Sequence, residues 1–377
     1  MGFSMSFLML SAAAAAGGSA AASEAKPAMW TEQDRVVFLG DSITDGGTLL
    51  LLVEQALRQA GRPVPEFVNA GVASDTAAMM RARLDRDVFP FMPTWIVLSA
   101  GANDVVRNVT PEAFASELSG ILEAAKAHEA QVVLLTTTIV GPKYAANDPV
   151  RAQYHERIHA LGQSLGCPVA EVHARMSAAR DRGESELLSP DDIHLHFSGY
   201  RWMARAVLDA AGYEEVAVPE KLTCTPYPGL VREWLVRIAP DPKQGLDAAG
   251  AQSLKPDESW KSIELPMRAD PENFWYAQEL ERGAALLVPV LGNAPGYQAA
   301  AIFTAPEVRT VYLHTGGDLQ SVWLNGVKVY QAGIWRGWKL GRESAQVELR
   351  AGANTLLIET GPVFILTLHP QRNPLRP

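Results

Sequence analysis

Cysteine is scarce in this sequence. The chain has 377 residues, and Cys167 and Cys224 are its two cysteines. Nothing in their spacing demands a disulfide, so the pattern favours two buried side chains that act as small hydrophobic residues. An exported location would permit a disulfide, and the sequence leaves that alternative open.

Long runs of basic residues are also absent. The chain has 33 lysines and arginines against 42 aspartates and glutamates, which gives a formal net charge of -9. This balance argues against nucleic acid or an anionic membrane surface as the main partner. Hydrophobic residues make up 47% of the chain and charged residues 20%, as in a globular protein. The chain is too long for one ordinary core, which predicts two domains.

The apolar stretch near the amino terminus is too short and too rich in alanine to span a membrane. It covers residues 7–22 as FLMLSAAAAAGGSAAA, and no lysine or arginine precedes it. The alanines at 20 to 22 offer a cleavage site, so we predict a signal peptide over residues 1–25 and a secreted or periplasmic protein. The opening MGFSMS also fits the loose myristoylation pattern at Gly2, with which the apolar stretch competes.

Residues 30–215 alternate between strand-like and helical segments. Continuous apolar segments that predict strands cover residues 35–40, 65–71, 94–101, 131–138 and 167–173. Segments with helical periodicity or helix-end signals cover residues 48–61, 75–88, 110–129, 150–166 and 198–212. This pattern predicts a parallel sheet with helices on both faces, whose sites lie beyond the carboxyl ends of the strands.

Small and polar residues follow three of these strands. Ser42 follows the first strand, Gly71 the second and Asn103 the third. Asp191 and His194 lie three residues apart just before the last helix, a spacing at which an aspartate can orient an imidazole on the same loop. A serine at this edge needs a base and donors for a developing anion, and these residues are the candidates for both.

Four short blocks resemble those of the SGNH hydrolases, also called the GDSL-type esterase family. They are GDSIT at residues 40–44, the isolated Gly71, GAND at 101–104 and DDIH at 191–194, with a Gly-Tyr pair following at 199–200. The resemblance covers residues 35–212, about half of the chain. Each block is common by chance, but four blocks in order at predicted strand ends and loops are specific.

The resemblance implies a fold, an activity and a role for each residue. The fold is a three-layer α/β/α flavodoxin-like parallel sheet, and the activity is ester hydrolysis without a cofactor or a metal. Ser42 is implied as the nucleophile, with His194 and Asp191 completing a catalytic triad. The backbone N–H groups of Ser42 and Gly71 and the side-chain amide of Asn103 are implied as the oxyanion hole.

The same residues also fit other interpretations. Gly71 fits a simple turn glycine, and Asn103 fits a helix cap. His196 competes with His194 for the role of the base. The HLH segment with its nearby aspartates also fits a metal site, although the spacing of Asp191 and His194 favours the triad.

From residue 213 onwards the sequence changes character. Proline-punctuated residues 216–230 predict a linker, and residues 231–377 contain short apolar runs separated by turns. Strand-like runs include residues 234–239, 284–291, 299–305 and 309–315. Asn325-Gly326 between two more runs indicates a hairpin. These features predict a β-sandwich without helices, and VWLNGVKVY and LRAGANTLLIE resemble galactose-binding-like jelly-roll modules.

Tryptophan is concentrated in this second half. Trp335 and Trp338 flank the loop-like segment IWRGW, where they can stack on a sugar ring. Aromatic residues of a sandwich more often belong to the core or to a domain contact, so the sequence leaves both roles open.

These features favour a secreted serine esterase that deacetylates a polysaccharide, with a small ester or an acetylated carbohydrate as its substrate. A lipase, lysophospholipase or thioesterase would use the same blocks, but the sequence has no clear apolar insertion to form a lid. A carbohydrate-binding protein with an inactive hydrolase half is a third alternative, and the complete set of blocks argues against it.

Overall fold

A computed structural model describes residues 28–241, 245–253, 255–267, 277–333, 340 and 343–370. Two sequence-based predictions lie outside these residues: the signal peptide over residues 1–25 and the sugar-stacking roles of Trp335 and Trp338. Of the helices within the described ranges, none combines the length and the apolar character that crossing a bilayer requires.

The first half of the chain contains a five-stranded parallel sheet. Its strands are β1 (Arg35–Gly40), β2 (Glu66–Gly71), β3 (Trp95–Leu98), β4 (Gln131–Leu135) and β5 (Val169–Ala170). Their lateral order is β2-β1-β3-β4-β5, which is the order of flavodoxin-like sheets. The chain changes its direction of travel across the sheet between β1 and β3, and ligands of such sheets bind at this switch point.

Helices cover both faces of this sheet. They are α1 (Ser42–Asp45), α2 (Thr48–Gln59), α3 (Ala77–Ala82), α4 (Leu84–Asp87), α5 (Ala102–Val106), α6 (Pro111–Ala127), α7 (Asp148–Leu165), α8 (Val172–Asp181) and α9 (Phe197–Ala210). In β1, Val36 and Phe38 pack into the core beneath α2, α8 and α9, and Val37 and Leu39 pack into the core beneath α3, α6 and α7. The predicted three-layer α/β/α architecture is confirmed.

Local signals set the ends of the longer helices. Thr110 Oγ1 accepts a hydrogen bond from the N–H of Ala113 at 3.2 Å, and Pro111 occupies the first position of α6. Helix α7 ends at Gly166, whose φ of 69° is a left-handed conformation that glycine adopts without strain. Both ends lie within two residues of the predicted ones.

Two predicted elements differ from the structure. The helix predicted over residues 75–88 is split into α3 and α4 at Arg83, whose side chain is buried and binds Asp75 and the carbonyl of Gly40. The strand predicted over residues 167–173 is reduced to the two residues of β5, and α8 begins at Val172. Strand β5 pairs with β4 alone, so few ladder hydrogen bonds compete with the helix there.

The second half contains an eight-stranded antiparallel sheet. Its strands are β6 (Glu233–Ile238), β7 (Lys261–Glu264), β8 (Ala285–Leu286), β9 (Tyr297–Ala305), β10 (Arg309–Leu324), β11 (Val327–Gln331), β12 (Glu343–Leu349) and β13 (Gly352–His369). The long strands β10 and β13 pair with each other, and their register shifts after Gly317. Strand β12 pairs with the first part of β10, and β11 pairs with the last part. The sheet folds as a β-sandwich around its main hydrophobic cluster, and two smaller clusters flank it.

The hairpin predicted at Asn325-Gly326 is present between β10 and β11. Asn325 and Gly326 have φ values of 52° and 80°, as a tight hairpin turn requires at both central positions. The strand predicted over residues 284–291 is wrong beyond its first part, since β8 covers Ala285–Leu286 and the short helix α12 covers Val288–Leu291. The expectation of no helices is also wrong, because α10 (Ala248–Ser253) and α11 (Ala277–Arg282) form as well.

Both cysteines are free thiols, and both are half-buried. Burial raises the pKa of the Cys167 thiol and, together with the neighbouring Glu281, raises that of Cys224 to about 12. The disulfide alternative is therefore not the state of this structure, and both thiols stay protonated at neutral pH.

The second half of the chain contacts the first half at α2 and at the loop that precedes it. Gln55 and Thr223 exchange two hydrogen bonds, from Gln55 Nε2 to the carbonyl at 2.8 Å and from the Thr223 N–H to Gln55 Oε1 at 3.1 Å. The buried Glu279 of α11 reaches the loop between α1 and α2, where a Cβ on Gly47 would lie 3.6 Å from Glu279 Oε1. The Tyr227 hydroxyl donates to Glu279 Oε2 at 2.6 Å and fixes this carboxylate.

We predict that Tyr227→Phe lowers the stability of the chain. The variant keeps the buried ring but removes the hydroxyl that donates to Glu279, and a hydrogen bond to a charged group contributes about 1.5–3 kcal/mol to stability. Thermal unfolding should therefore give a lower Tm. Tyr312→Phe is the matched control, because it makes the same chemical change at another tyrosine. Tyr312 is half-buried, and its ring packs near the ring of His314. An unchanged Tm for Tyr227→Phe would contradict the prediction.

Candidate active site

Ser42 is the first residue of α1, directly beyond the carboxyl end of β1. The preceding Asp41 is extended, and its Oδ1 accepts a hydrogen bond from the N–H of Ile43 at 3.0 Å. An aspartate in this position is a favourable helix cap, so the sequence Gly-Asp-Ser both ends the strand and begins the helix. As a result, the Ser42 side chain stands at the edge of the sheet where sites of this fold occur.

Two glycines allow α1 to lie directly against the strand ends. Gly40 and Gly71 are opposite each other in the β1–β2 pair. A Cβ on Gly40 would lie 2.1 Å from Thr44 Oγ1, and a Cβ on Gly71 would lie 2.2 Å from the backbone nitrogen of Asp45. A side chain at Gly71 would therefore push the helix that carries Ser42 away from the sheet.

His194 and Asp191 lie beside Ser42, as the resemblance implies. His194 Nε2 is 2.8 Å from Ser42 Oγ, and His194 Nδ1 is 2.6 Å from Asp191 Oδ2. These distances are those of hydrogen bonds. An imidazole held in this way can accept the serine proton on one nitrogen while the carboxylate binds the N–H of the other.

The loop that carries His194 is held by its own backbone. Asp191 Oδ1 accepts hydrogen bonds from the N–H groups of Ile193 at 3.0 Å and His194 at 2.9 Å. Asp192 has a left-handed backbone with φ of 70°, and its carbonyl accepts from the N–H of Gly141 at 2.9 Å. Asp191 therefore both orients the His194 ring and shapes the turn. The segment after β4 supports this turn through the hydrogen bond from Gly141.

Asp191 stays ionised at neutral pH. Partial burial opposes its charge, but the hydrogen bonds from the His194 ring and from the N–H groups of Ile193 and His194 outweigh burial and lower its pKa. An ionised Asp191 favours the tautomer that places the His194 proton on Nδ1, which leaves Nε2 able to accept from Ser42.

His196 occupies a different place from His194. It is the residue that precedes α9, and its N–H donates to the carbonyl of Leu187 at 3.1 Å. The contact with Ser42 belongs to His194, so the geometry separates the two candidates for the base. Within the described residues, no group of three or more His, Cys, Asp or Glu side chains has the arrangement of a metal site.

Asn103 lies on the first turn of α5, close to Asp41, the residue that precedes Ser42. Its Nδ2 donates to the carbonyl of Asp75 at 3.0 Å and approaches Asp41 Oδ2 at 3.4 Å. The residue that precedes α5 is Gly101, so the alternative of Asn103 as the helix cap does not apply. To donate to an oxyanion, this amide would have to leave or share the carbonyl of Asp75, and the role of Asn103 in an oxyanion hole stays a prediction.

Gly71 has a clear packing role in addition to the predicted one. Its N–H donates to Asn69 Oδ1 at 2.9 Å, and Asn69 Nδ2 donates to the carbonyl of Asp45 at 2.9 Å. To donate to an oxyanion, the Gly71 N–H would have to give up its hydrogen bond to Asn69 Oδ1 or divide it between two acceptors. The role of Gly71 in an oxyanion hole stays a prediction.

Sequence reasoning missed Arg83, the buried arginine of a polar network near the carboxyl end of β1. Arg83 Nε donates to Asp75 Oδ2 at 2.6 Å, and its Nη2 donates to the carbonyl of Gly40 at 3.1 Å. The buried Asp104 accepts from the N–H of Ala77 at 3.1 Å. Aspartates at successive strand ends are a sequence signal for such a network. Arg83 lies inside a segment with a continuous helical pattern, so nothing in the sequence signals that its side chain is buried.

Tyr200 explains the Gly-Tyr pair that follows the His194 loop. Its buried hydroxyl donates to the carbonyl of Ile43 in α1 at 3.1 Å, so α9 supports the helix that carries the nucleophile. A Cβ on the neighbouring Gly199 would lie 2.2 Å from the carbonyl oxygen of Leu187. The pair therefore joins α9 to both sides of the site.

Comparisons with known proteins find similarity in the first half of the chain. Residues 38–202 match the model of the GDSL-like lipase/acylhydrolase family. An acetylxylan esterase of Geobacillus stearothermophilus is 26% identical over 211 residues, which cover 48% of this chain and 96% of that protein. Thioesterase 1/protease 1/lysophospholipase L1 of Escherichia coli is 28% identical over 104 residues, 27% of this chain and 50% of that protein.

A solved structure gives a further match. The crystal structure of Axe2, an acetylxylan esterase from Geobacillus stearothermophilus, has 20% sequence identity and a TM-score of 0.46. The match covers 51% of this chain and 100% of that chain.

We predict that Asp41→Asn makes stability less dependent on pH. Burial, helped by the nearby charges of Asp104 and Asp75, raises the pKa of Asp41 to about 6, although the Ile43 N–H and His194 act in the opposite direction. The folded chain therefore binds this proton more tightly than the unfolded chain. Stability is greatest while Asp41 is protonated and falls as pH rises from about 4 to about 6, by up to ~3 kcal/mol.

Asparagine keeps the oxygen that caps α1 but cannot ionise. Relative to the natural chain, Asp41→Asn should gain Tm steadily between about pH 4 and about pH 6 in thermal unfolding. Asp85→Asn is the control, since Asp85 is exposed on α4. If plots of Tm against pH run parallel for the natural chain and for Asp41→Asn, Asp41 does not titrate in this range and the prediction is wrong.

Proposed function

On the premise that residues 38–202 belong to the GDSL-like lipase/acylhydrolase family, we propose that the chain hydrolyses carboxylic esters through an acyl-enzyme at Ser42. The observation that carries the proposal is the hydrogen-bonded series from Ser42 Oγ to His194 and on to Asp191, at 2.8 Å and 2.6 Å. Such a series activates a serine hydroxyl, which at its ordinary pKa is a weak nucleophile.

The reaction divides into two steps. Ser42 Oγ attacks the ester carbonyl while His194 Nε2 accepts its proton, and the same nitrogen then returns the proton to the leaving alkoxide. Water attacks the acyl group with His194 again as the base, which releases the acid and restores Ser42. Asp191 holds the ring and stabilises the imidazolium that forms in each step.

The oxyanion that forms in each step requires donors near Ser42. The proposed donors are the N–H of Ser42 at the start of α1, the side-chain amide of Asn103 and the N–H of Gly71. Each donor of this kind contributes about 3–4 kcal/mol to the transition state in enzymes where it has been measured. Asn103 and Gly71 have acceptors in the free protein, so we propose that the substrate oxygen replaces these acceptors.

We propose an acetylated carbohydrate as the substrate. The relative that this chain matches over 96% of its length is an acetylxylan esterase, which supports a short acyl group on a sugar. The Escherichia coli relative supports longer acyl substrates instead, but the match spans 50% of that protein. A secreted or periplasmic location would bring the enzyme to such a polymer, with residues 30–215 as the hydrolase domain and residues 231–377 as a β-sandwich domain.

We predict that Ser42→Ala and His194→Ala each lower kcat for p-nitrophenyl acetate by about 10⁴-fold or more, because the triad acts as a unit. His196→Ala is the matched control and should keep most of the activity, since His194 is the histidine in contact with Ser42. Steady-state kinetics and labelling by a fluorophosphonate provide the measurement. Labelling of a residue other than Ser42, or equal losses in the two histidine variants, would contradict the assignment.

We predict that acetyl esters are preferred over long-chain esters. The test measures acetate release from acetylated xylooligosaccharides alongside p-nitrophenyl esters of increasing chain length. If the substrate is an acetylated sugar, kcat/KM should fall from acetyl to octanoyl by roughly tenfold or more, because an acyl pocket that fits two carbons excludes eight. A rise with chain length would instead support the lysophospholipase-like alternative.

A further inference from the structure

A second polar cluster lies at the carboxyl end of β4, separate from Ser42. It consists of Arg151 and His155 on α7, His173 on α8, and the hydroxyls of Thr136 and Thr137 that follow β4. Thr137 Oγ1 is 2.7 Å from His155 Nε2, and the N–H of His173 donates to Thr136 Oγ1 at 3.0 Å. The rings of His155 and His173 are 4.6 Å apart. None of these residues belongs to the proposed triad or oxyanion hole.

The Nε of Arg151 is buried without a hydrogen-bond acceptor among the described residues. The side chain as a whole is 3% exposed. Asp148 Oδ1 lies 3.6 Å away, which is longer than a hydrogen bond, and the Asp148 side chain is 59% exposed. A buried charge with an unpaired donor is costly, so the position of Arg151 points to an anion that is bound during function.

The histidines beside Arg151 are neutral in the free protein. Burial lowers the pKa of His155 to about 4, with further contributions from the charges of His173, Arg151 and His159. Burial and the charges of Arg151 and Arg180 lower the pKa of His173, against the opposing effect of Asp148. An anion among these groups would raise the pKa of both histidines, and their protonation would strengthen its binding.

The cluster lies on the same edge of the sheet as Ser42. Strand β4 is two positions from β1 in the lateral order, which corresponds to about 10 Å. The segment that follows β4 also contacts the His194 loop, because the Lys143 N–H donates to Asp192 Oδ2 at 3.1 Å. A ligand longer than the acetylated unit itself can therefore reach both sites.

We infer that Arg151, His155 and His173 bind the carboxylate of an acidic sugar unit that neighbours the acetylated unit of the substrate. A planar guanidinium binds a carboxylate through two parallel hydrogen bonds, and a neutral sugar offers no charge to match it. His155 and His173 are half-buried, so one side of the cluster is open to solvent. The identity of the ligand as a sugar rests on the proposed function, whereas its anionic character rests on the cluster alone.

Calorimetric titration of the full chain tests this inference with sodium glucuronate, glucose, acetate and inorganic phosphate as probes. Glucuronate should bind, and it should bind more tightly at about pH 5.5 than at about pH 7.5, because the histidines take up protons with the anion. Glucose should not bind, and acetate and phosphate should bind at least about tenfold more weakly. The ring-proton resonances of His155 and His173 should titrate at higher pH when glucuronate is present.

Arg151→Met is the decisive variant, with Arg157→Met as its matched control on the same helix. Arg157 is exposed and pairs with Glu112, so its loss should leave glucuronate binding unchanged. Arg151→Met should weaken binding by roughly tenfold or more, since it removes the charge. It should not lower Tm, because an apolar side chain replaces a buried charge whose Nε lacks a hydrogen-bond acceptor among the described residues. His155→Gln should weaken binding and reduce its dependence on pH.

Four results would overturn the inference: unchanged glucuronate binding in Arg151→Met, binding of glucose, equal binding of acetate or phosphate, and no binding of glucuronate to the natural chain. If acetate binds equally well, the cluster is a site for the released product. If phosphate binds equally well, the cluster is a site for inorganic anions. Glucuronate binding does not require Ser42, so it can be measured in Ser42→Ala. A failure of ester hydrolysis is thereby distinguished from a failure of this inference.

Discussion

The site depends on the contact between the backbone of α1 and the ends of β1 and β2. Gly40 and Gly71 face each other across the two strands, and a Cβ at either position would come within about 2 Å of α1. Because both side chains are missing, the helix lies on the strand ends and Ser42 occupies a fixed point of the sheet edge. Tyr200 holds the same helix from the other side through the carbonyl of Ile43. The position of Ser42 is therefore a property of the packed core rather than of a flexible loop.

The groups that approach Ser42 come from distant parts of the chain, and each is fixed by a different kind of contact. His194 lies 152 positions from Ser42 along the chain, and its loop is shaped by the backbone hydrogen bonds of Asp191. Asn103 is held by the carbonyl of Asp75, and Asp75 is paired with the buried Arg83. Arg83 also binds the carbonyl of Gly40 at the end of β1. A single buried arginine thus links the strand of the nucleophile to the segment that positions the amide.

The local signature of buried parallel strands and their polar ends was sufficient to predict the sheet and the edge that carries Ser42. The flavodoxin-like order and the grouping of His194 and Asp191 with Ser42 came from the resemblance of four short blocks to a known family. The sequence was insufficient where contacts between distant residues determine the structure against the local sequence pattern. The helical period of residues 75–88 is continuous, and the break at Arg83 follows from a buried ion pair with a residue outside the helix. Gly71 was predicted as a donor from its place after β2, whereas its packing against Asp45 and its bond to Asn69 need the assembled fold.

The second half of the chain contacts helix α2 and the loop between α1 and α2. Glu279 is buried beside Gly47, in the loop that connects the nucleophile helix α1 to α2, and Gln55 of α2 exchanges two hydrogen bonds with Thr223. The carboxylate of Glu279 is held by the buried hydroxyl of Tyr227, so the second half of the chain places a fixed polar group against the loop that follows α1. The support of the nucleophile helix is therefore continuous: strand ends and Tyr200 hold α1 itself, and the second half packs against the loop that leaves it.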